Sequence, residues 1–388
     1  MAKRRNRELF FGTTWVAIAC LNAYIIAPAP VFPDLMASLQ VGNAAAGALV
    51  SALLLSAIVA QVPGAYVIDR VKNSNIVAVS TLGLSAASLP AFLLHRYDVI
   101  LASRFVAGLF VPLIFVASAN LVGHAFPEKR VRALGAYLSA PPAGYALGTF
   151  ATPYISSIGG LSFVFIAYAL PLLILLPVIY WTSRGLGEDR GPMYPLREYI
   201  AAFRSPELWR LGLAFASTYA IYIFFTSWMP SFLAREGGLS LAAGGSLVAL
   251  VPALGILSRP LGGYLADTVF HGDKRVVPII SFVVLLPLGL VWTAGASIPW
   301  APLLLPLAGF FVQLPFSVYY AFSSQILPER LTGSAYTFMN TTSLIGGALA
   351  PYVAGYLVDA TNAFQPAFYF AAGLAAIGLV LTLSSRER

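Results

Sequence analysis

Charge is scarce in this chain of 388 residues. Asp, Glu, Lys and Arg make up only 10% of it, against about 25% in ordinary soluble domains. Cysteine is nearly absent. The single Cys20 sits in an apolar run, which excludes a disulfide framework within the chain and a cysteine-built metal centre. The three histidines, His95, His124 and His271, are scattered, and no H-x-x-x-H or H-E-x-x-H occurs. No Ser-His-Asp grouping and no Walker phrase is found. These absences argue against an enzyme, against ATP drive and against any metal or cofactor. Acidic residues are also missing from one kind of place. All 15 fall at the ends of the long apolar runs or between them.

Apolar sequence is what the chain has in excess. It is 59% hydrophobic with a mean hydropathy of +0.81. No water-filled surroundings accommodate that, so the solvent is a bilayer. A helix needs about 20 apolar residues to cross the hydrocarbon. Twelve runs qualify, at about 10–32, 43–67, 75–94, 99–124, 132–153, 161–182, 209–233, 241–266, 276–296, 300–325, 333–357 and 364–384, numbered here as spans 1 to 12. The basic start, Lys3-Arg4-Arg5-Asn6-Arg7, is read as the flank of a retained first span rather than a signal peptide, because many spans follow.

The basic residues set the orientation. With the N-terminus inside, inner segments hold 19 Lys and Arg and outer loops only Arg96 and Arg235. This is a strong positive-inside pattern. The net charge of +8 is therefore a topology signal and not a nucleic-acid footprint. The longest hydrophilic break, about Ser183 to Trp209, divides the spans six and six. The expected architecture is all-α and membrane-integral, with a bundle at 1–182, an inner loop at 183–208 and a bundle at 209–388.

An internal repeat supports the division. Gln61-Val62-Pro63-Gly64-Ala65-Tyr66-Val67-Ile68-Asp69 closes span 2, and Arg259-Pro260-Leu261-Gly262-Gly263-Tyr264-Leu265-Ala266-Asp267 closes span 8. The copies differ at their first position, Gln61 against Arg259. Duplicated membrane folds place their ligands where the repeats meet.

Two arginines, Arg104 and Arg259, lie inside spans. An Arg at a helix centre costs about 2.5–3.5 kcal/mol on insertion scales, so each is expected to face the protein interior or a wet cavity. Arg259 is eight residues from Asp267, or about 12 Å, which puts it near the midplane. Arg104 lies nearer the outer end of span 4, where it is expected to pair with Asp98 or with carbonyls. A mid-span cation with no mid-span carboxylate calls for an anion, and a guanidinium fork suits carboxylate, nitrate-like or phosphate groups. Gln61, Tyr222, Asn340, Asn22, Tyr24 and Gln313 are the other expected substrate contacts. Asp34, after Pro33, is a candidate for protonation near the entrance, with a solvated turn charge as the plainer reading. In span 11, Gly346, Gly347, Thr342 and Ser343 are read as close packing plus interhelical hydrogen bonds.

Twelve spans, a central inner loop and the repeated phrase resemble the major facilitator superfamily. Asp69-Arg70 match its loop after span 2, Arg104-Phe105-Val106-Ala107-Gly108 match its span 4 phrase, and Pro127-Glu128-Lys129-Arg130 is echoed by Pro328-Glu329-Arg330. Val71 and Ala65 depart from the usual glycines. The resemblance implies two pseudo-symmetric six-helix bundles and alternating access. It implies that Asp69, Arg70, Glu128 and Arg130, and less directly Asp267, Glu329 and Arg330, latch the bundles, and that Arg104 has a conformational or coupling role. The form of span 8 looks like that of nitrate/nitrite porters, monocarboxylate carriers and oxalate-type exchangers. Gln61 replaces the second Arg of nitrate porters, and Asn340 stands where oxalate-type exchangers have Lys. One central Arg suggests a singly charged small anion, carried with protons or against a counter-anion by a monomer in the plasma membrane, both termini cytoplasmic. The alternative is an exporter of drug-like amphipathic compounds, favoured by the span 4 phrase and the many aromatics.

Overall fold

The computed structural model describes residues 2–68, 70–184, 186, 203–294, 298–328 and 331–385. Among them are helices and turns and no strand. Eleven helical stretches are long and apolar enough to cross a membrane. The one remaining expected span, span 5 at 132–153, is helical as well, as Arg130–Tyr137 and Ala140–Gly159. It falls outside that set because Gly, Ser, Thr, Pro and Tyr lower its hydropathy. The apolar surface points outward as a bilayer requires: Ile158, Leu93, Ile174 and Leu257 are all exposed.

Two compact units divide the chain, Met1–Val41 with Ala52–Met193, and Gly42–Ser51 with Tyr194–Arg388. Most of the expected central loop, residues 185 and 187–202, lies outside the described residues. The first turns of span 2, a single helix over Asn43–Ile68, group with the second unit. The contacts explain why. Gly47 rests on the Pro351 carbonyl and Gly355 on that of Asn43. The Asp359 carboxylate accepts from the Asn43 and Ala44 N–H groups at 2.9 and 2.7 Å and from Asn43 Nδ2 at 2.7 Å. Those N–H groups have no partner within their own helix, and a carboxylate there is favoured by the helix dipole.

Small residues set the tightest helix pairs, since in lipid close backbone approach replaces hydrophobic burial as the driving force. In the first unit, span 5 lies on span 1, with Gly144 against the Ala19 carbonyl. In the second, span 11 (Thr332–Thr361) lies on span 7 (Pro206–Arg235), with Gly346 against the Ala216 carbonyl. The two pairs are counterparts in the repeat. The expectation for the hydroxyls of span 11 is half right. Thr342 packs against Gly212, but its Oγ1 donates to Phe338 and Met339 at 3.1 and 3.0 Å, and Ser343 Oγ to Asn340 at 2.8 Å. These bonds stay within the helix because the helix's own carbonyls, three and four residues back, are the nearest acceptors.

Candidate functional site

Span 8 is not one helix. It runs as Leu241–Val248, Leu250–Ala253 and Gly255–Tyr264, ending in a π-turn at Leu265–Val269. The N–H groups of Leu257 and Ser258 both turn to the Leu254 carbonyl at the break, at 3.1 and 2.8 Å. Span 10 is broken too, as Ala301–Gln313 and Phe316–Ile326, at Leu314-Pro315. Proline has no N–H to continue a helix.

The broken stretches pack on each other through a glycine face. Gly255, Arg259, Gly262 and Gly263 fall on one side of the helix by their spacing. Gly255 lies against the Gln313 amide, Gly262 against the Leu314 carbonyl, and Gly263 faces Ser317. Ser317 Oγ donates to the Arg259 carbonyl at 2.6 Å. The glycines of the repeated phrase therefore admit span 10 to the backbone beside Arg259.

Arg259 is half-buried. Its Nε donates to Gln313 Oε1 at 2.9 Å, and its guanidinium carbon lies 4.2 Å from the centre of the Phe316 ring. Phe316 packs against Tyr219, Tyr222 and Phe215, with ring centres 5.9, 6.0 and 5.2 Å away. Tyr320 Oη donates to Asn340 Oδ1 at 3.4 Å, and its ring meets Phe215 at 5.5 Å. Arg259, Tyr219, Tyr320 and Asn340 are partly exposed, while Tyr222 and Gln313 are buried at 1% and 0% exposure. Of the expected contacts, this cluster brings together Arg259, Gln313, Tyr222 and Asn340. Gln313 stands behind Arg259, with its amide used on three protein groups. Phe316 and Ser317 were not anticipated. The signal available for them is the Gln313-Leu314-Pro315 sequence, which marks a helix break flanked by polar and aromatic side chains.

The remaining candidates belong to other elements of the chain. Asn22, Tyr24 and Gln61 belong to the first unit. Asn22 Nδ2 donates to the Ile18 carbonyl at 2.9 Å, Tyr24 Oη bonds Ser88 Oγ at 2.8 Å, and Gln61 is half-buried. Arg104 is 1% exposed. It donates to the Tyr24 carbonyl at 2.7 Å and to that of Ile25, with its guanidinium 5.0 Å from the Tyr24 ring. The Tyr24 carbonyl needs this donor, because the residue four positions on is Pro28, which has none. Of the two partners expected for Arg104, the carbonyls are found. Asp98 instead pairs with exposed Arg96 at 2.8 Å. Asp34 is exposed in the first turn of Phe32–Leu39.

Of the expected latch charges, Asp69, Glu329 and Arg330 lie outside the described residues. Arg70 folds back over its own neighbour, 3.3 Å from the Tyr66 ring centre, and donates to the Tyr66 carbonyl at 3.2 Å. Glu128 and Arg130 are exposed, with the Arg130 guanidinium against Gly123. Asp267 lies 3.8 Å from Lys274 of the following loop.

A family model described as Major Facilitator Superfamily matches residues 14–351. The chain belongs to the Major Facilitator Superfamily. It is thus a multi-pass membrane transporter and not an enzyme. A hexuronate transporter of Bacillus subtilis (strain 168) is 30% identical over 48% of this chain and 45% of that protein, so this match spans about half of each. A cis,cis-muconate transport protein of Acinetobacter baylyi is 21% identical over 84% and 81%. Among solved structures, an inward-facing, unoccupied bacterial homolog of the human lysosomal transporter Spinster superposes with a TM-score of 0.82. That likeness covers 98% of both chains at 15% identity and speaks for the fold alone.

Proposed function

We propose that this superfamily member is a secondary transporter of a small monoanion, organic acid or inorganic anion, with Arg259 as the anion-binding residue. The observation that carries the reading is the setting of its guanidinium. It is held by a neutral amide and an aromatic face at two helix breaks, in a unit whose spans carry acidic residues only at their ends. Broken helices that place charge and backbone dipoles at mid-membrane are a recurring way to bind ions in transporters. The relative named for hexuronate carries a monocarboxylate by that name, and the one named for muconate a dicarboxylate. Tyr219, Tyr320 and Asn340 form the accessible rim beside Arg259, and Asn22, Tyr24 and Gln61 belong to the half that completes the site in the alternating cycle. The halves are 1–182 and 209–388, joined by 183–208. Asp69, Arg70, Glu128, Arg130, Asp267, Glu329 and Arg330 latch them. The protein works as a monomer in the plasma membrane with cytoplasmic termini, and a proton or a counter-anion drives it.

The test is uptake into proteoliposomes of D-glucuronate, cis,cis-muconate and nitrate, with tetraphenylphosphonium to probe the export of lipophilic compounds. At least one anion is expected to be taken up, and Arg259→Gln is expected to reduce that uptake at least about tenfold, one tenfold step corresponding to about 1.4 kcal/mol. Anion uptake that survives the substitution, or movement of the lipophilic cation alone, overturns the reading.

A further inference from the structure

Gln313 carries more information than its place in a buried helix requires. Its Nε2 donates to two carbonyls, Val251 at 3.0 Å and Pro252 at 2.9 Å, and its Oε1 accepts from Arg259 Nε at 2.9 Å. Carbonyls only accept, so the orientation of the amide is fixed by the network itself. Both carbonyls belong to the short helix Leu250–Ala253, immediately before the break at Leu254. One side chain therefore bonds the broken end of span 8 and also grips the arginine five residues beyond the break.

No other common side chain of this size does both. A glutamate offers no donor to the two carbonyls, and its charge would cancel that of Arg259. A methionine or leucine fills the space with neither donor nor acceptor. The amide alone orients the guanidinium without neutralising it. Phe316 fixes the face of the guanidinium at 4.2 Å, and Gln313 fixes its edge. Gly255 leaves the room, since a Cβ there would overlap the amide of Gln313.

We infer that Gln313 is a positioning residue: it sets the direction in which Arg259 presents its charge and ties that direction to the break of span 8 at Leu254. This rests on the anion-binding role of Arg259 given above. An anion that pulls on the guanidinium then acts, through one amide, on the two carbonyls that end the helix segment. Binding and helix bending become one event, which is what a ligand needs in order to favour one conformation over another.

The experiment uses the full chain in detergent with 15N-labelled arginine. The Arg259 Nε–H signal is assigned by its loss in Arg259→Gln. In the unsubstituted protein that proton is expected to exchange with solvent at least tenfold more slowly than that of exposed Arg132. Exchange as fast as that of Arg132 overturns the inference. Gln313→Met is expected to speed the exchange and to weaken D-glucuronate or nitrate binding about tenfold, raising KM more than it lowers kcat, with helix content unchanged. Unchanged exchange and unchanged KM in a folded Gln313→Met protein also overturn it. Gly255→Ala gives a second route should Gln313→Met fail to fold. Its added methyl meets the amide directly, and it is expected to move the same two readouts in the same direction. Loss of anion response in Arg259→Gln but not in Gln313→Met or Gly255→Ala refutes the positioning role and leaves the anion site standing. An anion response that survives in Arg259→Gln refutes the anion site itself.

Discussion

At the scale of single residues, the two arginines inside spans solve one problem in two ways. Arg104 is used up by the protein. Pro28 deprives the Tyr24 carbonyl of its helical donor, and Arg104 supplies one from span 4 at 2.7 Å. Arg104→Met keeps the bulk and removes the donors, which is expected to lower stability by about 2–3 kcal/mol. A fall in the unfolding midpoint with no change in the KM of the surviving fraction checks this. A raised KM at unchanged stability would instead place Arg104 in the binding site. Arg259 meets a side-chain amide and an aromatic ring where Arg104 meets backbone carbonyls. Its position in span 8 was legible in the sequence, as was the cost of burying it. Its partners were not, because Gln313 is 54 residues away and only the packing of two broken helices brings it near.

At the scale of elements, glycine position decides which helices touch. Span 5 meets span 1 at Gly144 and span 11 meets span 7 at Gly346, each glycine lying against a backbone carbonyl of the facing helix. A valine at either position leaves no room for that approach. Gly346→Val is expected to abolish the folded protein, seen as loss of the monodisperse peak in gel filtration, whereas Gly373→Val is expected to be tolerated because nothing lies within 4 Å of a Cβ there. Helix ends follow the same logic. Asp359 accepts three hydrogen bonds at the start of span 2. Asp359→Ala is expected to cost about 1 kcal/mol, read as a lower thermal midpoint. The sequence showed glycine-rich spans and a carboxylate at the end of span 11. It did not show that this carboxylate caps a helix that begins 316 residues earlier.

At the scale of the whole molecule, the expected orientation rests on 19 basic residues in the segments read as inner against two in those read as outer. Cys20 is the sole cysteine, so Cys20→Ser gives a clean background for labelling. On it, Lys129→Cys is expected to react with an impermeant maleimide only after the membrane is opened, and Glu236→Cys in intact cells. The reverse pattern would invert the topology. Composition and charge by themselves determined that this chain lives in a bilayer, and its repeat and phrases pointed to the superfamily that the family match then showed. Those properties are sums and local patterns, which a sequence carries in full. Only the tertiary structure decided that spans 8 and 10 are broken side by side and that Gln313 reaches both Arg259 and the carbonyls before the break. It likewise decided that Arg104 serves the backbone of span 1. Such pairings depend on which helix faces meet. A helix face is set by rotation about its own axis, which packing fixes and hydropathy does not.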